Sequence, residues 1–342
     1  MRTCLLVVAL LSVLLRASAA QAVHAFVNVT VLPMDTERRL PDHTVIVRDG
    51  RIDVVGPSSA VTVPADAVRI DGRGKFLLPG LGEMHGHNPP PGSSPEYIAD
   101  TYFLFVANGV TTVRSMLGWP GQLELREQVR RGDLLGPTLH LAGPSFSGQS
   151  TPSPAAAEQR VRTQKVEGWD LLKVHPGVRR DSYDAMVRTA KAEGIAFAGH
   201  IPADVGLLHA IESGQETVDH LDGYIELLQG DRGPLDAAAL ADVVRRTREA
   251  GVAVVPTMVL WETIIGSASL PDMLAYPELR YMPAAEVDRW RTGYERRIGA
   301  ASFDAARARR IAANRTVLLR ALHEGGVKIL FGTDAPQQFS VP

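Results

Sequence analysis

From Lys75 onward the sequence sets short apolar runs at intervals, each parted from the next by a helix-like stretch. No other feature restricts the fold as much. The runs are Phe76–Leu81, Val110–Arg114, Thr138–Ala142, Leu171–Val174, Ala196–Gly199, Thr217–Val218, Val252–Pro256 and Lys328–Phe331. Between them lie stretches such as Pro95–Asn108, Gln122–Arg131, Ala155–Glu167, Ser182–Glu193 and Leu235–Ala250. Gly109, Gly194, Gly214, Gly251 and Gly326 stand where such helices would end. This α/β alternation predicts a (β/α)₈ TIM-type barrel rather than a doubly wound sheet.

The residues ahead of the barrel have a different rhythm. Ala25–Val31, Thr44–Arg48, Arg51–Val55 and Val68–Ile70 are short alternating runs, with Asp49-Gly50 as a hairpin signal. They predict a small antiparallel β module over residues 23–74, followed by the barrel over 75–342. Residues 1–22 combine Arg2, an apolar stretch Leu5–Leu15 and the small residues Ala17-Ser18-Ala19. That order predicts a cleaved signal peptide, hence a secreted or periplasmic protein, and the apolar core is too short for stable membrane insertion. Cys4, the single cysteine, lies inside this segment. The mature chain then has no disulfide and no thiolate ligand, so any metal must be held by nitrogen and oxygen. A formal net charge of −2 argues against a nucleic-acid partner. Homo-oligomerisation is left open. The chain ends at Pro342, shortly after the eighth run. The expectation is therefore a barrel whose C-terminal part is missing.

Candidate chemistry collects at the carboxyl ends of these runs, the end at which barrels of this type carry their active sites. His85-Gly86-His87 follows the first run, and two histidines at i and i+2 on a strand share a face from which they can grip one metal ion. Lys173 interrupts the fourth run, His200 closes the fifth, His220 follows the sixth and Asp334 follows the eighth. A buried lysine is costly without a partner. Lys173 is either salt-bridged or snorkelling, or it is carboxylated by CO2 into a carboxylate able to bridge two metals. Asp334 either caps a turn or ligates a metal and takes a proton from water. Tyr224 either contacts substrate or packs in the core. His175 shares a strand face with Lys173, and a role behind the ligands is open to it. The arginine-rich segment from Trp261 to Glu324 reads as a solvated helical face, with a lid as the other reading.

The ordered set Pro79-Gly80-Leu81-Gly82-Glu83-Met84-His85-Gly86-His87, Asp170-Leu171-Leu172-Lys173-Val174, Gly199-His200-Ile201-Pro202, Val218-Asp219-His220-Leu221-Asp222-Gly223 and Gly332-Thr333-Asp334 resembles the amidohydrolase superfamily. Within it the likeness is to the imidazolonepropionase-like branch that includes Xaa-Pro dipeptidases. The resemblance implies a distorted barrel with a small β-sandwich built from both chain ends. It also implies one or two divalent metals, usually Zn2+. His85 and His87 would hold the first metal with Asp334, and His200 and His220 the second, bridged by carboxylated Lys173. Glu83 stands where many members have aspartate. The activity implied is hydrolysis of C–N bonds in amides, dipeptides or cyclic amides, with Asp334 as general base and then acid toward a small-molecule or dipeptide substrate. The alternatives are a mononuclear cyclic-amide hydrolase or deaminase, and a truncated inactive paralogue that only binds ligand.

Overall fold

The structure, a computed structural model, describes residues 22–342. The expected signal segment, apart from Ala22, and Cys4 fall outside that range. Two compact units divide at Gly80.

The first unit is a five-stranded sheet. Strands β1 (His24–Val31), β2 (Leu40–Arg48), β3 (Arg51–Pro57), β4 (Val68–Asp71) and β5 (Phe76–Leu77) are arranged in the order β3-β2-β1-β4, with β5 also on β1. β1–β2 and β2–β3 are antiparallel, whereas β4 and β5 run parallel to β1. The module is thus mixed rather than purely antiparallel. Its boundary also falls later than the expected residue 74, because Phe76 and Leu77 pair with Thr30 and Val31.

The second unit, Leu81–Pro342, carries the strand–helix alternation. β6 (Leu81–Gly86), β7 (Val110–Ser115) and β8 (Thr138–Leu141) form one parallel sheet. β9 (Leu171–Val174), β10 (Ala196–Gly199), β11 (Thr217–Asp219) and β12 (Ala253–Val255) form another. Parallel bridges Ala142–Leu171 and Phe146–Val174 join β8 to β9. The eighth run makes a single bridge, Ile329 to Val254, but its backbone reaches both neighbours. The Leu330 N–H donates to the Val254 carbonyl at 2.9 Å, and the Met84 N–H donates to the Phe331 carbonyl at 2.9 Å. The ring therefore closes, as a TIM-barrel-like α/β fold.

The first barrel strand is Leu81–Gly86 and not the expected Phe76–Leu81. Pro79 has no N–H to give a ladder, so the apolar run is split between two units. His85 consequently lies within its strand rather than after it.

Local chemistry explains the helix starts. Ser94, Ser153 and Asp236 accept hydrogen bonds from the N–H groups of Tyr97, Ala156 and Ala239, satisfying donors that a helix start leaves free. Pro95 and Pro154 occupy first-turn positions where no N–H is required. The apolar faces of these and later helices pack on the strands. Leu172, Val174, Val218 and Val254 meet Tyr183, Met186, Val243 and Leu318 in the largest core. The segment after β12 is helical at Met258–Ile265, Leu270–Leu274, Ala284–Ile298 and Ala305–Glu324, with a 3-10 turn at Pro277–Tyr281. Arg291 pairs on the surface with Asp288 and Glu295, as a solvated face requires. Arg315 departs from that pattern. It is buried, donates to the carbonyls of His220 and Pro256, and lies over the Trp261 ring.

Candidate metal centre

The last residues of β6 and the turn after the eighth run meet. Glu83, buried on β6, accepts hydrogen bonds from the Thr333 N–H at 2.9 Å and the Thr333 hydroxyl at 2.7 Å. It also accepts from the His85 N–H at 2.7 Å. Burial raises its carboxyl above the ordinary range, against the pull of those hydrogen bonds. Behind it the Asp334 N–H donates to the His85 carbonyl at 2.7 Å. These bonds bring His85, His87 and Asp334 together.

One donor atom from each of His85, His87 and Asp334 lies within 4.8 Å of the others. His87 Nε2 is 2.6 Å and His85 Nε2 is 3.8 Å from Asp334 Oδ1. Lys173 Nζ, fully buried on β9, is 3.4 Å from His85 Nε2. On the other side His220 approaches Asp334 Oδ2 at 3.6 Å through Nδ1, and its ring centroid is 4.4 Å from that of His85. His200 lies beyond His220, with ring centroids 4.7 Å apart. The six residues expected as ligands thus form one continuous cluster, with His85, His87 and Asp334 the tightest part.

Each outlying histidine has a partner at Nδ1. His200 Nδ1 lies 2.6 Å from Asp222 Oδ2, and His220 Nδ1 lies 2.7 Å from Thr257 Oγ1. Such contacts fix the ring and leave Nε2 as the remaining donor atom. His85 differs. Its Nδ1 approaches Asp219 Oδ2 at 2.8 Å, yet both atoms lack an aligned hydrogen-bond partner. The proximity is real and the angle is poor, so the contact counts as electrostatic.

Burial holds the His85 and His220 imidazoles well below the ordinary histidine value, and nearby cationic groups push the same way. Neutral imidazole is the form that binds metal. The Lys173 amine is likewise lowered by burial, with Asp219 opposing. His175, beside His200, is pushed down to about 3, chiefly by burial. The donor set is nitrogen and oxygen only, held at strand ends, and this fits a divalent cation.

The backbone here is strained. Asp334 (φ 63°), His220 (φ 62°), Leu221 (φ 58°) and Thr257 (φ 40°) all occupy the left-handed region without being glycine. Gly199, ahead of His200, has φ 126°, and a Cβ there would stand 2.5 Å from the Val174 carbonyl oxygen.

Tyr224 takes the packed alternative. It is fully buried, and its hydroxyl pairs with Thr247 at 2.9 Å within the helix layer. Three residues around the cluster are partners that the sequence reading does not single out: Arg114, Asp222 and Thr257. Arg114 carries the same signal that marks Lys173, a charge inside an apolar run.

Known proteins place these observations. An adenine deaminase from Paracoccus denitrificans (strain Pd 1222) is 27% identical over 207 residues, covering 54% of this chain. The chain spans only 33% of that relative's length. A solved bottromycin amidohydrolase is 26% identical with a TM-score of 0.70, over 93% of this chain and 70% of its own. A Xaa-Pro dipeptidase with bound methionine in the active site, 20% identical, shares the fold with a TM-score of 0.65 over 93% of this chain and 80% of its own. The sequence model of the amidohydrolase family matches residues 76–341, from the last strand of the first unit through the whole ring, and the chain belongs to that family.

Proposed function

We propose that this protein is a metal-dependent hydrolase of C–N bonds acting on amides, dipeptides or cyclic amides. The observation that carries this reading is the convergence of His85, His87 and Asp334 donor atoms within 4.8 Å at the carboxyl end of the barrel strands. His85, His87 and Asp334 would hold one Zn2+ ion. His200 and His220 would hold a second, with Lys173, carboxylated by CO2, as a further oxygen ligand. A divalent ion there would supply Lewis-acid chemistry, lowering the pKa of water to roughly 7 and polarising a carbonyl.

The chain's own groups do the rest. Asp334 Oδ accepts the proton of the attacking water and delivers it to the leaving nitrogen. Glu83 holds the strand-eight turn against β6 so that Asp334 faces His87. Asp222 and Thr257 fix the His200 and His220 rings. Export by the N-terminal segment and action on a small-molecule or dipeptide substrate belong to the same proposal.

A mononuclear cyclic-amide hydrolase or deaminase is the second reading. Among the described residues the one group compact enough for an ion contains neither His200 nor His220. Elemental analysis of the purified protein, followed by a screen of dipeptides, cyclic amides and aminopurines, tests both. Two zinc ions per chain and loss of one in Lys173→Ala support the binuclear form. One ion, unaffected by that substitution, supports the mononuclear form. Hydrolysis by metal-free protein overturns both.

A further inference from the structure

The barrel interior holds a buried charged group that the proposed reaction does not use. Arg114, on β7, is 5% exposed and crosses the barrel beneath the ligand layer. Its Nε donates to the Met84 carbonyl on β6 at 2.7 Å, and its Nη2 donates to Thr217 Oγ1 on β11 at 2.9 Å. Thr217 Oγ1 in turn donates to Asp219 Oδ1 at 2.7 Å, and Arg114 Nη2 lies 3.6 Å from that same oxygen. The other oxygen of Asp219 stands 2.8 Å from His85 Nδ1, an electrostatic contact rather than an aligned hydrogen bond, and 3.7 Å from Lys173 Nζ. Arg114 Nη1 is 3.7 Å from Glu216, at the open amino-terminal end of the barrel.

Asp219 is fully buried, and a buried carboxylate is costly without paired charge and donors. One of its oxygens is committed to the Arg114–Thr217 pair. The carboxylate plane is therefore set from below, and the remaining oxygen is presented to His85. A carboxylate behind a ligand histidine orients the ring and raises its basicity. We propose that Arg114 is a positioning residue for the metal centre, acting through Thr217 and Asp219 to fix the ring of His85. This role rests on the metal reading above. The guanidinium is suited to it because its planar fork directs Nε to β6 and Nη2 to β11 in a fixed geometry, whereas an ammonium offers its donors from a single point.

The test is zinc affinity of the full chain, measured by chelator competition, for Arg114→Met, Asp219→Asn, the double variant and Thr217→Val. Asp219→Asn is expected to weaken zinc by about 10–100-fold, the range for partners behind a ligand histidine. Arg114→Met is expected to weaken it by about tenfold on the same ground. The double variant should be no weaker than Asp219→Asn alone, because both act along one path. Arg114→Lys should fail to restore wild-type affinity. Zinc bound by folded Arg114→Met as tightly as by wild type overturns the role, and so do losses that simply add. Should Arg114→Met not fold, Thr217→Val carries the test: weakened zinc supports the path and unchanged zinc overturns it. A wild-type chain that holds no zinc removes the metal reading and this role together, whereas wild-type binding with an insensitive Arg114 removes the role alone.

Discussion

His87 on the first barrel turn and Asp334 after the eighth run stand with Nε2 and Oδ1 2.6 Å apart, although nearly the whole second unit separates them in sequence. The pair places the proposed proton acceptor beside a nitrogen proposed as a metal ligand, and the expected consequences are open to measurement.

Removing the acceptor should cost rate more than fold. Asp334→Asn keeps the side-chain volume and removes the base. The expected fall in kcat is about 10²–10⁴-fold, the usual contribution of a positioned general acid–base. A variant that turns over at the wild-type rate would show that the proton goes elsewhere.

Lys173 separates a structural amine from a functional one. It is fully buried and its charged form is disfavoured there. Lys173→Met keeps most of the apolar volume but removes the amine 3.7 Å from the buried Asp219 carboxylate, so unfolding free energy should fall by about 3–5 kcal/mol in urea titration. Zinc content of the folded variant should fall by one ion. Unchanged zinc content would reduce Lys173 to packing.

The Glu83 clamp predicts a stability loss. Glu83→Ala strands the N–H groups of His85 and Thr333 and the Thr333 hydroxyl. Leaving a buried donor unsatisfied costs about 1–3 kcal/mol. A fall of roughly 2–4 kcal/mol in unfolding free energy is expected for the set, given partial relaxation. Denaturant titration that finds no loss would mean that β6 and the last turn are held by other bonds.

Gly199→Ala should disturb the same region from the backbone side. A Cβ there meets the Val174 carbonyl oxygen at 2.5 Å and Lys173 Cδ at 3.0 Å, at φ 126°. Loss of about 1–3 kcal/mol follows from the strained conformation alone. The thermal midpoint and zinc content should both drop; an unaltered midpoint would contradict the close approach.

Zinc should also stabilise the protein. Chelator-stripped protein given zinc at about 100 times its dissociation constant gains roughly 2.7 kcal/mol. For a unit of this size that raises the thermal midpoint by several degrees, at about 2–4 °C per kcal/mol. A midpoint indifferent to zinc would speak against ligation in the native state.

Much of this arrangement is legible in the order of residues. Leu171–Val174 and Ala196–Gly199 are strands at the expected positions, because continuous apolar runs suit strands buried on both faces. The ligand candidates stand out against those runs, since a polar side chain at the end of one is costly unless it meets a partner there. What escapes depends on contacts between distant segments. Phe76 and Leu77 join the first unit because Thr30 and Val31 offer them an edge, and no local pattern announces that choice. Tyr224 has a place after His220 that suits substrate contact, yet Thr247, on a later helix, supplies its hydroxyl partner. Asp219 meets His85 only because β11 and β6 face each other across the ring, with Arg114 spanning between them.

The seam where Glu83 receives Thr333 has a further meaning for how the molecule opens. The bonds that shut the cylinder are also those that bring Asp334 to the histidines, so ring integrity and ligand geometry rise and fall as one cooperative unit. Amide exchange at Asp334 and Met84, whose N–H groups bond across that seam, would therefore report the breathing of the barrel and the dismantling of its reactive end as a single event.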